Sequence, residues 1–235
     1  MPRRLLLISN STNHGQGYLD HVLAEIDNLL GSIRRLVFVP FALKDRQAYG
    51  VKAAERLKAI GVEATILTDD EAGRRLAGEA EAVFTGGGNT FRLLKTLQDS
   101  GLLAILRERA LAGMPYIGSS AGTNIAAPTI RTTNDMPIVQ PSSFEALGLV
   151  SLQINPHYLD PDPNSSHRGE TREQRIKEFH EESDTPVVGI REGAWMRIEG
   201  DRAVLGGSRG ARIFRRGQEP EERRAGESLD DLLAP

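Results

Sequence analysis

A serine held between two glycines, a histidine, two carboxylates and a run of three glycines are spread along this chain, most of them just beyond a short apolar segment. Gly118-Ser119-Ser120-Ala121-Gly122 lies where the apolar run Met114 to Ile117 gives way to a helix-like segment. This is the layout of a nucleophile elbow, a strained turn that exposes a hydroxyl at the carboxyl edge of a sheet. His157 follows the run ending at Ile154, Glu192 the run ending at Ile190, and Gly86-Gly87-Gly88-Asn89 the run ending at Thr85.

The chemistry within reach of this set is acyl transfer. A serine hydroxyl is a weak nucleophile until a neutral imidazole accepts its proton, and the imidazole needs a carboxylate to fix its tautomer. Ser120 is the candidate nucleophile and His157 the candidate base. His14 and His167 fall in loops and His21 and His180 on helices, so none directly follows a core strand. Two acids compete: Glu192, at a strand end, and Asp135, in Arg131-Thr132-Thr133-Asn134-Asp135. Whichever does not orient His157 is available for a substrate ammonium or for loop backbone. An amide in place of the acid is expected to cost on the order of 10⁴ in turnover through the wrong imidazole tautomer. The backbone N–H groups of Gly88 and Ala121 form the candidate oxyanion hole, because glycines accept the dihedrals that let such groups converge. A phosphate cradle fits less well, since the run lacks a Gly-Lys-Ser/Thr ending and dinucleotide spacing.

These residues need a frame. Leu5 to Ser9, Leu36 to Val39, Ala64 to Leu67, Ala82 to Thr85 and Tyr116 to Gly118 read as buried strands. Between them Tyr18 to Leu30, Arg46 to Ile60, Asp70 to Leu76, and Thr90 to Leu111 with a break near Ser100-Gly101 have helical spacing. Alternation of this kind predicts an α/β fold with a mainly parallel sheet flanked by helices. Leu149 to Ile154 and Val187 to Ile190 return as strands, and Thr171 to Glu181 as a helix after a Pro- and Asp-rich loop, Asp160 to Gly169, expected to be mobile. Trp195 to Ile198, Ala203 to Leu205 and Arg212 to Phe214 predict a small antiparallel addition at the sheet edge, and the charged tail from Gln218 is expected to fray.

The 235 residues, 39% hydrophobic and 26% charged, suit one catalytic domain spanning 1–235. A net charge of −3 offers no basic field for nucleic acid, and the arginines at 215–216 and 223–224 are interleaved with Glu. Without cysteine there is no thiolate catalysis or disulfide. The opening apolar run, Leu5 to Ile8, is too short for a signal peptide or a membrane span, so a cytoplasmic location with no membrane partner is expected.

With these residues assigned, the chain resembles peptidase E, the α-aspartyl dipeptidases, which are relatives of cyanophycinase with a class I glutamine amidotransferase-like fold. The resemblance runs collinearly through Leu7-Ile8-Ser9-Asn10-Ser11, Gly86-Gly87-Gly88-Asn89-Thr90-Phe91, Ser120-Ala121-Gly122, Pro128 to Val139, Gln153-Ile154-Asn155-Pro156-His157, Gly169 to Ile176 and Val204-Leu205-Gly206-Gly207. It implies a serine dipeptidase cleaving Asp-Xaa dipeptides without metal or cofactor, with Ser120 and His157 as nucleophile and base and with Asp135 or Glu192 as third member. A β-aspartyl or cyanophycin-type hydrolase and a catalytically silent small-molecule sensor are the alternatives, and the state is monomer or homodimer. A short aspartyl carboxylate taken out of water needs a fixed cation, for which Arg172 is first choice and Arg131 second; Asn89 is a further candidate contact. The resembling proteins carry an aromatic residue where this chain has Ser119, which predicts a wider substrate pocket.

Overall fold

The computed structural model describes residues 2–161 and 169–233. Five apolar runs form β1 (Arg4–Ile8), β2 (Arg35–Val39), β3 (Glu63–Ile66), β4 (Val83–Thr85) and β5 (Tyr116–Ser119), all parallel. The inner strands β1, β2, β4 and β5 are apolar along most of their length because both faces of the sheet are covered there, whereas the edge strand β3 is only partly buried. Leu5 and Leu7 enter one core with Val37, Val83 and Tyr116, whereas Leu6 and Ile8 enter the other with Phe38, Phe84 and Ile117. Helices α1 (Leu23–Leu30) and α2 (Arg46–Leu57) pack on the second of these faces; α3 (Glu71–Glu79), α4 (Thr90–Asp99) and α5 (Leu102–Leu111) pack on the first.

The strand order β3-β2-β4-β5-β1 follows from right-handed crossovers. Steps from β1 to β3 run one way with their helices on one face, and steps from β3 to β5 run back with helices on the other. Neighbours β5 and β1 therefore send their chains to opposite faces, which opens a crevice above their carboxyl ends. The short helix α6 (Ala121–Asn124) leaves β5 there.

Later elements depart from the expected single sheet. The strand β6 (Gln153–Tyr158), followed by α7 (Arg172–Phe179) and β7 (Val187–Arg191), builds a separate four-stranded sheet with β10 (Ala211–Phe214) and β11 (Glu221–Arg223). The hairpin β8 (Ala194–Glu199) and β9 (Arg202–Gly207), turning at Gly200-Asp201, extends the main sheet beside β1 as the antiparallel addition. Strand β6 starts four residues later than its apolar run because the N–H groups of Leu147, Gly148 and Leu149 bond to carbonyls of residues 125–127 instead of to a ladder. Helix α1 starts at Leu23, since Leu19 takes φ 62°, outside the helical region.

The tail does not fray as expected. Leu229 and Leu232 are buried, β11 pairs with β10, and Asp231 binds both Arg215 and Arg223. Most of the loop expected over Asp160 to Gly169, with His167, lies outside the described residues. Among the described residues no helix is long and apolar enough to cross a membrane.

Candidate active site

The elbow glycines are required by close approach. A Cβ on Gly118 would lie 2.5 Å from the carbonyl oxygen of Gly122, and one on Gly122 would overlap the carbonyl oxygen of Thr85. Only glycine lets α6 start so tightly against β4 and β5. Ser120 sits between them at φ 54°, ψ −111°, a conformation that a side chain adopts at a cost of roughly 1–3 kcal/mol and that the surroundings must hold. They do so by hydrogen bonds: Ser120 N–H donates to the Ile8 carbonyl at 3.0 Å, and the Thr123 hydroxyl lies 2.7 Å from the same oxygen. Ser119 is fully buried and its hydroxyl has no partner among the described residues. Strand alternation turns it away from the crevice, and it is not among the residues lining the cavity over Ser120.

His157 also has a positive φ, 54°, at a bulge where β6 carries one extra residue against β7. The bulge swings the ring out of the ladder toward Ser120. Its backbone N–H donates to the Ser9 hydroxyl at 2.9 Å, and that hydroxyl donates to the Ile190 carbonyl at 2.8 Å. The neighbouring Asn10 accepts the Gly193 N–H at 2.7 Å and so fixes the turn that begins with Glu192. Two polar residues ending β1 thus tie the second sheet to the first where the site is assembled. Nothing in the composition of β1 marks this role; the one signal was a polar pair closing an apolar strand at the sheet's carboxyl edge.

The outcome is a continuous chain of hydrogen bonds. His157 Nε2 lies 2.8 Å from Ser120 Oγ, and Nδ1 lies 2.7 Å from Glu192 Oε1. Asp135 is elsewhere: it accepts the Thr90 N–H at 2.7 Å and the Thr90 hydroxyl at 2.6 Å, so it caps α4. Of the two candidate acids, geometry brings Glu192 to the imidazole and not Asp135. The run from Thr132 to Asp135 serves the site by another route. Thr132 donates to the Ile154 carbonyl and Asn134 to the Pro156 carbonyl, bracing β6 on both sides of Asn155.

Within the glycine run, most backbone donors are committed. Gly86 N–H bonds to Val39, Asn89 N–H to Ala42, and Gly87 N–H to the Tyr49 hydroxyl at 2.8 Å. Gly88, at φ 133°, keeps its N–H without an acceptor among the described residues, as does Ala121 at the start of α6. These are the two donors named from the sequence. Tyr49, not singled out by sequence, holds the run in shape, and burial pushes its phenol up so that it remains an O–H.

A cavity of about 500 Å³ opens over Ser120 and His157, bounded by Ser11, Gly88, Tyr49 and Lys52 among others. Other expected substrate contacts do not line it. Asn89 caps α4, its carbonyl accepting from Arg92 and its amide donating to Met136, so both ends are occupied by backbone. Arg131 is exposed on the surface. Arg172, the first residue of α7, is partly buried; this lowers its guanidinium below the ordinary range, Arg175 adding to the effect and Asp135 opposing it, yet it stays a cation at neutral pH. Among the described residues no three His, Asp or Glu side chains gather as a metal-ligand set.

Comparison with known proteins identifies the family. The model of peptidase family S51 matches residues 5–206. A Streptomyces coelicolor protein named peptidase E is 56% identical, covering 97% of this chain and 94% of its own. A Drosophila melanogaster protein named probable alpha-aspartyl dipeptidase is 46% identical over 91% of this chain and 90% of its own. The crystal structure of a peptidase from an acI-B1 Actinobacterium superposes with a TM-score of 0.73 at 18% identity, covering 97% of each chain, a likeness of fold.

Proposed function

The chain belongs to peptidase family S51, and from that premise we propose that it is a serine dipeptidase hydrolysing Asp-Xaa through an acyl-enzyme on Ser120. The observation that carries this reading is the hydrogen-bonded chain Ser120–His157–Glu192. Glu192 accepts a hydrogen bond from Nδ1–H, which keeps the proton on Nδ1 and leaves Nε2 as the acceptor facing the serine hydroxyl. Ser120 Oγ attacks the aspartyl carbonyl carbon while Nε2 takes its proton. The oxygen that gains charge is assigned to the N–H groups of Gly88 and Ala121, which have no acceptor among the described residues. The imidazolium then protonates the leaving amine, the C–N bond breaks, and water repeats the sequence on the ester to release aspartate. The aspartyl side chain is assigned to Arg172, a partly buried cation whose charge Asp135 supports, with Arg131 as second choice; both lie outside the lining of the cavity over Ser120, so substrate must reach beyond it.

Hydrolysis of Asp-Leu beside Glu-Leu, Ala-Leu and β-Asp-Leu, by the wild type and Ser120→Ala, with and without chelator, tests this. Cleavage confined to Asp-Leu, indifferent to chelator and lost in the variant, is expected. Cleavage of β-Asp-Leu would move the assignment to β-aspartyl or cyanophycin-type peptides. No turnover of any member would favour a binding protein on the same fold.

A further inference from the structure

The Ser120 cavity reaches past Gly88 to α2, where Lys52 is the one cation among the described residues lining it. Its ammonium stands 4.9 Å from the centroid of the Tyr18 ring, a placement that favours a cation over an aromatic face. No carboxylate lies within ion-pair distance of it among the described residues. Asp45, the acid on the same wall, spends its carboxylate capping α2, accepting the Ala48 N–H at 3.0 Å. Lys52 is thus an exposed cation on the wall of the cavity that holds the nucleophile, outside ion-pair distance of any described carboxylate.

Its side of the site matters. Helix α2 packs on one face of the main sheet and α4, with Asp135 on its first residue and Arg172 near by, on the other. A dipeptide with its scissile carbon against Ser120 has one residue on each side of the bond to be cut, and the cavity over Ser120 extends toward α2. If the aspartyl residue lies toward Arg172, the leaving residue lies toward Lys52, and the charge it brings is its free carboxylate. We infer that Lys52 is a specificity-determining residue that pairs with the C-terminal carboxylate of the leaving amino acid, selecting dipeptides over longer or amidated chains. This assignment rests on the dipeptidase reading above.

The test compares kcat/KM for Asp-Leu and Asp-Leu-amide in the wild type, Lys52→Met and Lys52→Arg. A charge-assisted hydrogen bond of this kind predicts that the wild type favours the free carboxylate by about tenfold or more, mostly through KM. The preference should vanish in Lys52→Met and persist in Lys52→Arg. A wild type indifferent to the carboxylate, or a preference that survives in Lys52→Met, overturns the assignment. So does a Lys52→Met variant that keeps the carboxylate preference but loses discrimination between Asp-Leu and Asn-Leu, because Lys52 would then read the aspartyl side chain. Failure of the dipeptidase reading looks different: the wild type hydrolyses neither peptide.

Discussion

Replacing Glu192 by Gln probes how much the acid contributes beyond holding the imidazole. A buried triad acid replaced by its amide costs on the order of 10⁴ because neighbouring hydrogen bonds force the amide to present N–H to the ring and reverse its tautomer. Glu192 is differently placed. Its side chain is 54% exposed, and among the described residues its carboxylate has His157 as its hydrogen-bond partner. A glutamine there is free to rotate so that its carbonyl oxygen receives the Nδ1 proton, which preserves the tautomer. What is lost is the charge. A unit charge about 4 Å from the imidazolium contributes between about 1 kcal/mol in water and about 4 kcal/mol at a protein surface. Half-exposed, Glu192 should fall near 2 kcal/mol, or about thirtyfold in turnover. Glu192→Ala, which removes the acceptor as well, should lose more. Asp135→Asn keeps an oxygen for the Thr90 N–H and should act mainly through the fit of α4 against β6. Steady-state kcat on Asp-Leu for the three variants, with thermal unfolding to confirm the fold, measures this. A Glu192→Gln enzyme within threefold of wild type, beside an Asp135→Asn enzyme reduced more than about 10²-fold, would refute the reasoning and make Asp135 the acid.

Ser120→Ala should abolish turnover with unfolding unchanged, whereas Ser119→Ala should keep activity and gain up to about 1 kcal/mol of stability by removing a buried hydroxyl that has no partner; inactivity of the second with activity in the first reverses the assignment. Ser9→Ala removes the acceptor of the partly buried His157 N–H and a donor to the Ile190 carbonyl, and should cost about 2 kcal/mol in denaturant titration together with a drop in kcat of about tenfold. Unchanged kcat in that variant would mean that the bulge keeps its shape without Ser9. Gly122→Ala drives a methyl into the Thr85 carbonyl and should destabilise the protein by about 3 kcal/mol or more, read as a fall in Tm; a wild-type Tm would show that the elbow has room.

Sequence by itself determined the parts of this protein that depend on local pattern. Continuous apolar runs between helical segments gave a mainly parallel sheet covered on both faces, and glycines around Ser120 and in the 86–88 run were legible because only glycine tolerates backbone packed that closely. The break at Ser100-Gly101 was legible for a different property of glycine, its ease in the left-handed region, where Gly101 sits at φ 74°. Tertiary structure decided everything that depends on which distant segments meet. Glu192 and Asp135 are equivalent on paper, both acids near a loop, and only the pairing of β7 with the bulged β6 sets one of them 2.7 Å from the imidazole. Ser9 and Asn10 acquire their function solely because β1 ends beside a second sheet whose strands lie about 150 to 180 residues away. Lys52 belongs to the same class: helical spacing placed it on α2, but which cavity its charge faces is settled by the face of the sheet on which that helix packs. Period and turn chemistry are written residue by residue, whereas a hydrogen bond between segments so far apart exists only after the whole chain has closed.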